Sequence, residues 1–140
     1  MAYTHSKNEV MMSATALSAT TSGVVAYYAP GYVPHIIRGC AIVYTATANT
    51  SSGLTVAFNH LDNTSGSTAS AIATLVGVSS DLAGHVVYKT VTSEVVVQPG
   101  EQVQLDITGA ASGDCNFYPI LYVEPKWEQP VNNANMRATT

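Results

Sequence analysis

Three features predict an all-β chain folded as an antiparallel β-sandwich. Short runs of alternating apolar and polar residues recur along it, clusters of turn-forming residues separate them, and almost nothing repeats at a helical period. The clearest run is Glu94–Ile107. After Pro99-Gly100, Val103, Leu105 and Ile107 fall on one side and Gln102, Gln104 and Asp106 on the other. That period of two defines a strand with one buried and one wet face. Pro presets φ for a turn position, and Gly accepts positive φ without steric cost.

Residues 1–22 read as a polar N-terminal arm. Ser6-Lys7-Asn8-Glu9 has a capping-box pattern, followed by Val10, Met11, Ala14 and Leu17 at helical spacing. The Ser/Thr-rich stretch that follows opposes a long helix, so a short helix and an extended arm or first edge strand both stand. The sandwich domain is expected over 23–124. Val24–Tyr28 is a strand, and Pro30-Gly31 and Pro34 make 29–35 a loop. Ile36–Ala48 is a long strand in which Cys40, Ile42 and Tyr44 share a side. Asn49–Gly53 turns. Leu54, Val56 and Phe58 alternate with Thr55, Ala57 and Asn59. A long Ser/Thr/Gly/Asn loop covers 61–70. Ala71–Val78 follows, with Ile72, Val76 and Val78 expected on one side, and 79–84 turns. Val86–Val97 is a strand with a bulge or bend across Thr90–Ser93, where its parity breaks. About eight strands of this length fit two four-stranded sheets, which favours a jelly roll among the Greek-key sandwiches.

The last strand, Asn116–Glu124, differs from the rest. Phe117, Leu121 and Val123 lie on one side, and Tyr118, Ile120 and Tyr122 on the other. Both faces are apolar, yet a sandwich strand needs only one. The second face is therefore expected to meet an arm of this chain or a neighbouring subunit. Residues 125–140 form a C-terminal arm beginning Pro125-Lys126-Trp127-Glu128-Gln129-Pro130. Tyr118, Ile120, Tyr122 and Trp127 are the candidate interface residues, Trp127 because tryptophan anchors interfaces; its alternative place is folded back over its own core.

Composition narrows the function. With 140 residues the chain is one domain with room for a core. The formal charge is −4, and Lys7, Arg38, Lys89, Lys126 and Arg137 are scattered, so no basic patch is offered to nucleic acid. Charged residues make up 10% of the chain, against about 25% in ordinary domains. A surface so poor in charge is weakly protected against association. No apolar run approaches the ~18 residues of a membrane span, and no leader peptide is visible, which implies synthesis in a cytoplasm. In that compartment Cys40 and Cys115 read as buried thiols rather than a bridge.

Catalytic and metal chemistry find little support. His5, His35, His60 and His85 have no metal-ligand spacing, so no metal or cofactor is expected, and each reads as a hydrogen-bonded loop or strand-end residue. The acids Asp62, Asp81, Glu94, Glu101, Asp106, Asp114, Glu124 and Glu128 are dispersed, and no nucleophile–base pair is apparent. The chain is expected not to be an enzyme. Tyr27, Tyr28 and Tyr32 gather near the first Pro-Gly loop. They suit a half-wet subunit contact or, alternatively, stacking on sugars.

The stretch from Val95-Val96-Val97-Gln98-Pro99-Gly100-Glu101 through Ile120-Leu121-Tyr122-Val123-Glu124-Pro125-Lys126-Trp127-Glu128-Gln129-Pro130-Val131-Asn132-Asn133 resembles tailed-bacteriophage head proteins. In particular it is similar to the small β-sandwich decoration, or cement, proteins on the outside of capsids. The resemblance covers the last third of the chain. It implies a non-enzymatic virion component on the capsid exterior that contacts the major capsid protein, bridges capsomers and self-associates as a homotrimer. The alternative is a carbohydrate-binding sandwich for host recognition, presenting aromatics such as Tyr27 and Tyr32.

Overall fold

The computed structural model describes residues 8–20, 22–45, 54–62, 69–77, 83–109 and 116–126. Among them there is no helix. Ten strands follow in order: β1 (Asn8–Met11), β2 (Leu17–Ser18), β3 (Gly23–Tyr28), β4 (His35–Tyr44), β5 (Thr55–Leu61), β6 (Ala69–Val76), β7 (Val86–Thr90), β8 (Val96–Val97), β9 (Gln102–Gly109) and β10 (Asn116–Pro125).

They form two antiparallel sheets. Sheet A runs β1-β10-β4-β7; β2 extends the β1 side of β10, and β8 extends the β7 side of β4. Sheet B runs β3-β9-β5-β6. The pairings are nested: β1 and β2 pair with β10, β3 with β9, β4 with β7 and β8, and β5 with β6. Successive pairs alternate between the sheets, as in one long antiparallel ribbon rolled over on itself.

The core lies between the sheets. β4 and β10 contribute Ile37, Cys40, Ile42, Tyr44, Phe117, Leu121 and Val123; β5 and β9 contribute Val56, Phe58, Val103, Leu105 and Ile107, all buried. All but Ile37 are alternating positions read from the sequence; the pairing of β4 with β10 skips Arg38, which brings Ile37 onto the side of Cys40. The Gln98–Glu101 turn closes as expected: the Glu101 amide donates to the Gln98 carbonyl at 2.9 Å, and Gly100 has φ of 92°. Positive φ at the third residue, after a proline, is the type II arrangement. The Glu101 carboxylate accepts from the Gln98 amide at 2.9 Å and contacts His60 Nε2 at 2.9 Å, tying the turn to β5. The expected break after Thr90 is also present, separating β7 from β8.

Of the two readings of the N-terminal segment the edge strand is the one formed, and one expectation, the parity of β6, needs correction. No helix forms at Val10–Leu17. Met12 N–H instead donates to the Pro119 carbonyl at 3.0 Å, and Val10 pairs with Leu121. A helix this short is marginal in water, whereas the open edge of β10 satisfies the same backbone groups. In β6 the parity is reversed: Ala73 and Leu75 face the core, and Val76 is 60% exposed. Phe58 pairs with Ala73 and Asn59 with Ala71, which leaves Ile72 as an unpaired extra residue. A bulge of this kind switches the side that each following residue faces. Val78 lies outside the described residues.

Cys40 is a free, buried thiol; burial pushes its pKa up to about 12, with Lys89 opposing the shift. Cys115 lies outside the described residues.

Candidate interaction surface

The two sheets have unlike outer faces. Across sheet A the register sets three transverse rows: Tyr118, Val43 and Val86; Met11, Ile120, Ala41 and Tyr88; and Glu9, Tyr122, Gly39 and Thr90. Side chains opposite one another in a ladder share a face, so seven apolar or aromatic side chains gather on the outside of this sheet, with Ala41 fully covered beneath them. Tyr118, Ile120 and Tyr122, half-buried, form its central column. Met11, Val86 and Tyr88 are exposed around them, Tyr88 to 49%. Patches of this composition mark contact sites on proteins.

Gly39 sets the centre of this face. The Tyr88 and Tyr122 rings meet edge to face, 5.4 Å apart at 80°. A Cβ added to Gly39 would lie 3.0 Å from the Tyr88 ring and hydroxyl and 3.3 Å from the Tyr122 ring. The two rings therefore close over bare backbone, a contact only glycine leaves room for without displacing a ring. The Tyr122 pKa is raised by burial, then by the hydrogen bond and negative charge of Glu9, then by Tyr88. Arg38 Nε donates to Glu124 at 2.8 Å beside the aromatic column.

Of the candidate residues, the structure brings Tyr118, Ile120 and Tyr122 onto one face, while Trp127 lies outside the described residues. Sequence reasoning missed Met11, Val43, Val86 and Tyr88 as members of this surface. Val86 and Tyr88 do alternate with Val87 and Lys89, but nothing in that alternation says that β7 lies beside β4. Met11 was hidden by the helical spacing around it.

The tyrosines near the first Pro-Gly loop diverge. Tyr28 turns toward β4, where its hydroxyl hydrogen-bonds His35 Nδ1 and the two rings stack at 5.9 Å and 21°. Burial lowers the His35 pKa and raises that of Tyr28. Tyr27 stands on the outer face of sheet B, 56% exposed, and Tyr32 lies in the loop, 72% exposed. A hollow at the open seam between the sheets is lined by His60, Ser70, Ile72 and Glu94. Glu94 there meets Lys126 Nζ at 3.1 Å. Among the described residues no three His, Cys, Asp or Glu side chains come together as a metal set would.

Apart from Glu9 and the Arg38–Glu124 pair beside the column, this face is apolar and aromatic, the composition of a surface that another surface covers. Comparisons with protein-family models, curated proteins and solved structures find no match for this chain.

Proposed function

We propose that this chain is a non-enzymatic virion protein that decorates the outside of a phage capsid, docking through the outer face of sheet A. The observation that carries the reading is the column Tyr118, Ile120 and Tyr122, extended by Met11, Val43, Val86 and Tyr88 into one apolar surface. The resemblance of the last third of the chain to capsid decoration proteins supplies the partner, the major capsid protein, and the homotrimeric state. The nested ribbon of strands supports a jelly-roll assignment, an architecture that viral capsid proteins use.

Such a subunit would act by adding buried area across capsomer boundaries. Each apolar Å² removed from water contributes about 25 cal/mol, and many copies on a shell multiply a small gain. Mixing the purified protein with undecorated heads and sedimenting them tests the reading. Saturable co-sedimentation is expected, and Tyr122→Ala should weaken it by about 2 kcal/mol, roughly thirtyfold, as truncating an aromatic hot spot does. Absence of co-sedimentation across several salt concentrations would refute the assignment.

A further inference from the structure

We propose that the outer face of sheet B carries a binding site for a neutral glycan, centred on Tyr27 and separate from the docking face on sheet A. The register places Tyr27, Gln104, Asn59 and Ala71 in one row across all four strands. Gln102 and Asp106 flank Gln104 along β9 on the same face. An aromatic ring that is 56% exposed thus stands beside three amides and one carboxylate. Asn59, Gln102, Gln104 and Asp106 make no side-chain hydrogen bond among the described residues, so their donors and acceptors are available to a ligand.

The chemistry of this row selects the ligand. Each amide both donates and accepts, matching hydroxyl groups that do the same. The tyrosine offers an apolar ring on which the C–H face of a pyranose can lie, with a polar tip in water. Ala57, next to Asn59 along β5, and Ala71, across from it on β6, are small and leave low ground beside it. The cations described in the structure, Arg38, Lys89 and Lys126, all belong to sheet A or the residue after β10. Among the described residues nothing cationic on this face would hold a phosphate, a sulfate or a sialic acid, and Asp106 would repel one. A neutral oligosaccharide fits where an acidic one does not.

The test is an immobilised panel of neutral hexose and N-acetylhexosamine oligosaccharides beside sialylated and sulfated ones, followed by calorimetric titration of the oligosaccharides that bind. Saturable binding of at least one neutral oligosaccharide is expected. Tyr27→Ala should weaken it at least about tenfold, Tyr27→Phe should retain it, and Gln104→Ala should weaken it by loss of an amide. Both residues are on the wet face, and thermal unfolding checks that the variants fold. Binding confined to acidic glycans, no binding at all, or full binding by a folded Tyr27→Ala protein would overturn the site. Shell co-sedimentation has no part in this readout, so the two proposals stand or fall separately.

Discussion

Replacing Gly39 by alanine separates the stability of the sandwich from the shape of its aromatic face. The new methyl would sit 3.0 Å from the Tyr88 ring and hydroxyl and 3.3 Å from the Tyr122 ring. Tyr88 is 49% exposed, so its ring can swing outward into water; Tyr122, half-buried and hydrogen-bonded to Glu9, yields less. The swing sacrifices the edge-to-face contact, about 0.5–1.5 kcal/mol. Against this, alanine restricts the unfolded chain more than glycine does, a gain of about 0.4–1 kcal/mol where the native φ and ψ suit it. The two nearly cancel, so stability by urea unfolding should change by less than ~1 kcal/mol. Shell binding should nevertheless fall, because the most exposed ring of the face has moved. Destabilisation of more than ~2 kcal/mol would mean that the rings cannot part and that Gly39 serves the fold. Unchanged stability with unchanged binding would mean that the Tyr88 position does not matter to docking. Either result refutes the argument.

Two further predictions concern titration and reactivity. Burial depresses the His35 pKa below its ordinary 6.5, so the unfolded chain binds the proton first as pH falls. Stability is then full above 6.5 and declines as pH drops toward the lower native value. Tyr28, raised by burial above 10.0, has the opposite sign, with stability retained below 10.0 and lost as pH climbs toward its native value. A melting-temperature profile should therefore sag at both ends, and His35→Asn should flatten the acid side; an unchanged acid limb in that variant would contradict the assignment. In a Cys115→Ser background, Cys40 should ignore a thiol reagent at pH 8 until the protein unfolds. A thiol with a pKa of about 12 is roughly one part in ten thousand thiolate there, and burial also blocks access. Rapid labelling of the native protein would show that the β4 interior opens.

The strands most easily read are those with one dry and one wet face. Val103, Leu105 and Ile107 in β9, and Val56 and Phe58 in β5, are buried at the alternating positions that name them. The two apolar faces of β10 were also legible, because Tyr118, Ile120 and Tyr122 interrupt the polar half of a pattern the other strands keep. What could not be read was pairing. The bulge at Ile72 shifts β6 by one residue, and no local feature of Ala-Ser-Ala-Ile-Ala-Thr announces it. The N-terminal segment stays open between two readings in the sequence because Val10, Met11, Ala14 and Leu17 fit a helix as well as they fit β1 and β2. The vacancy beside β10 decides between them, and that vacancy is set by residues about a hundred positions away. The row Tyr27, Gln104 and Asn59 is likewise drawn from three strands, so it becomes visible only once their register is known.

The rolled ribbon makes β10, the most C-terminal of the described strands, an inner strand of sheet A, flanked by β1 and β2 on one side and β4 on the other. A ribosome working from the amino end therefore delivers the middle of this sheet after its borders. Until Asn116–Pro125 emerges, β1 and β2 have no ladder to join, and one flank of β4 presents unpaired amides and carbonyls. Completion of sheet A during translation must wait for that segment, whereas sheet B needs nothing after Gly109, and a nascent chain halted before β10 carries an open edge on β4.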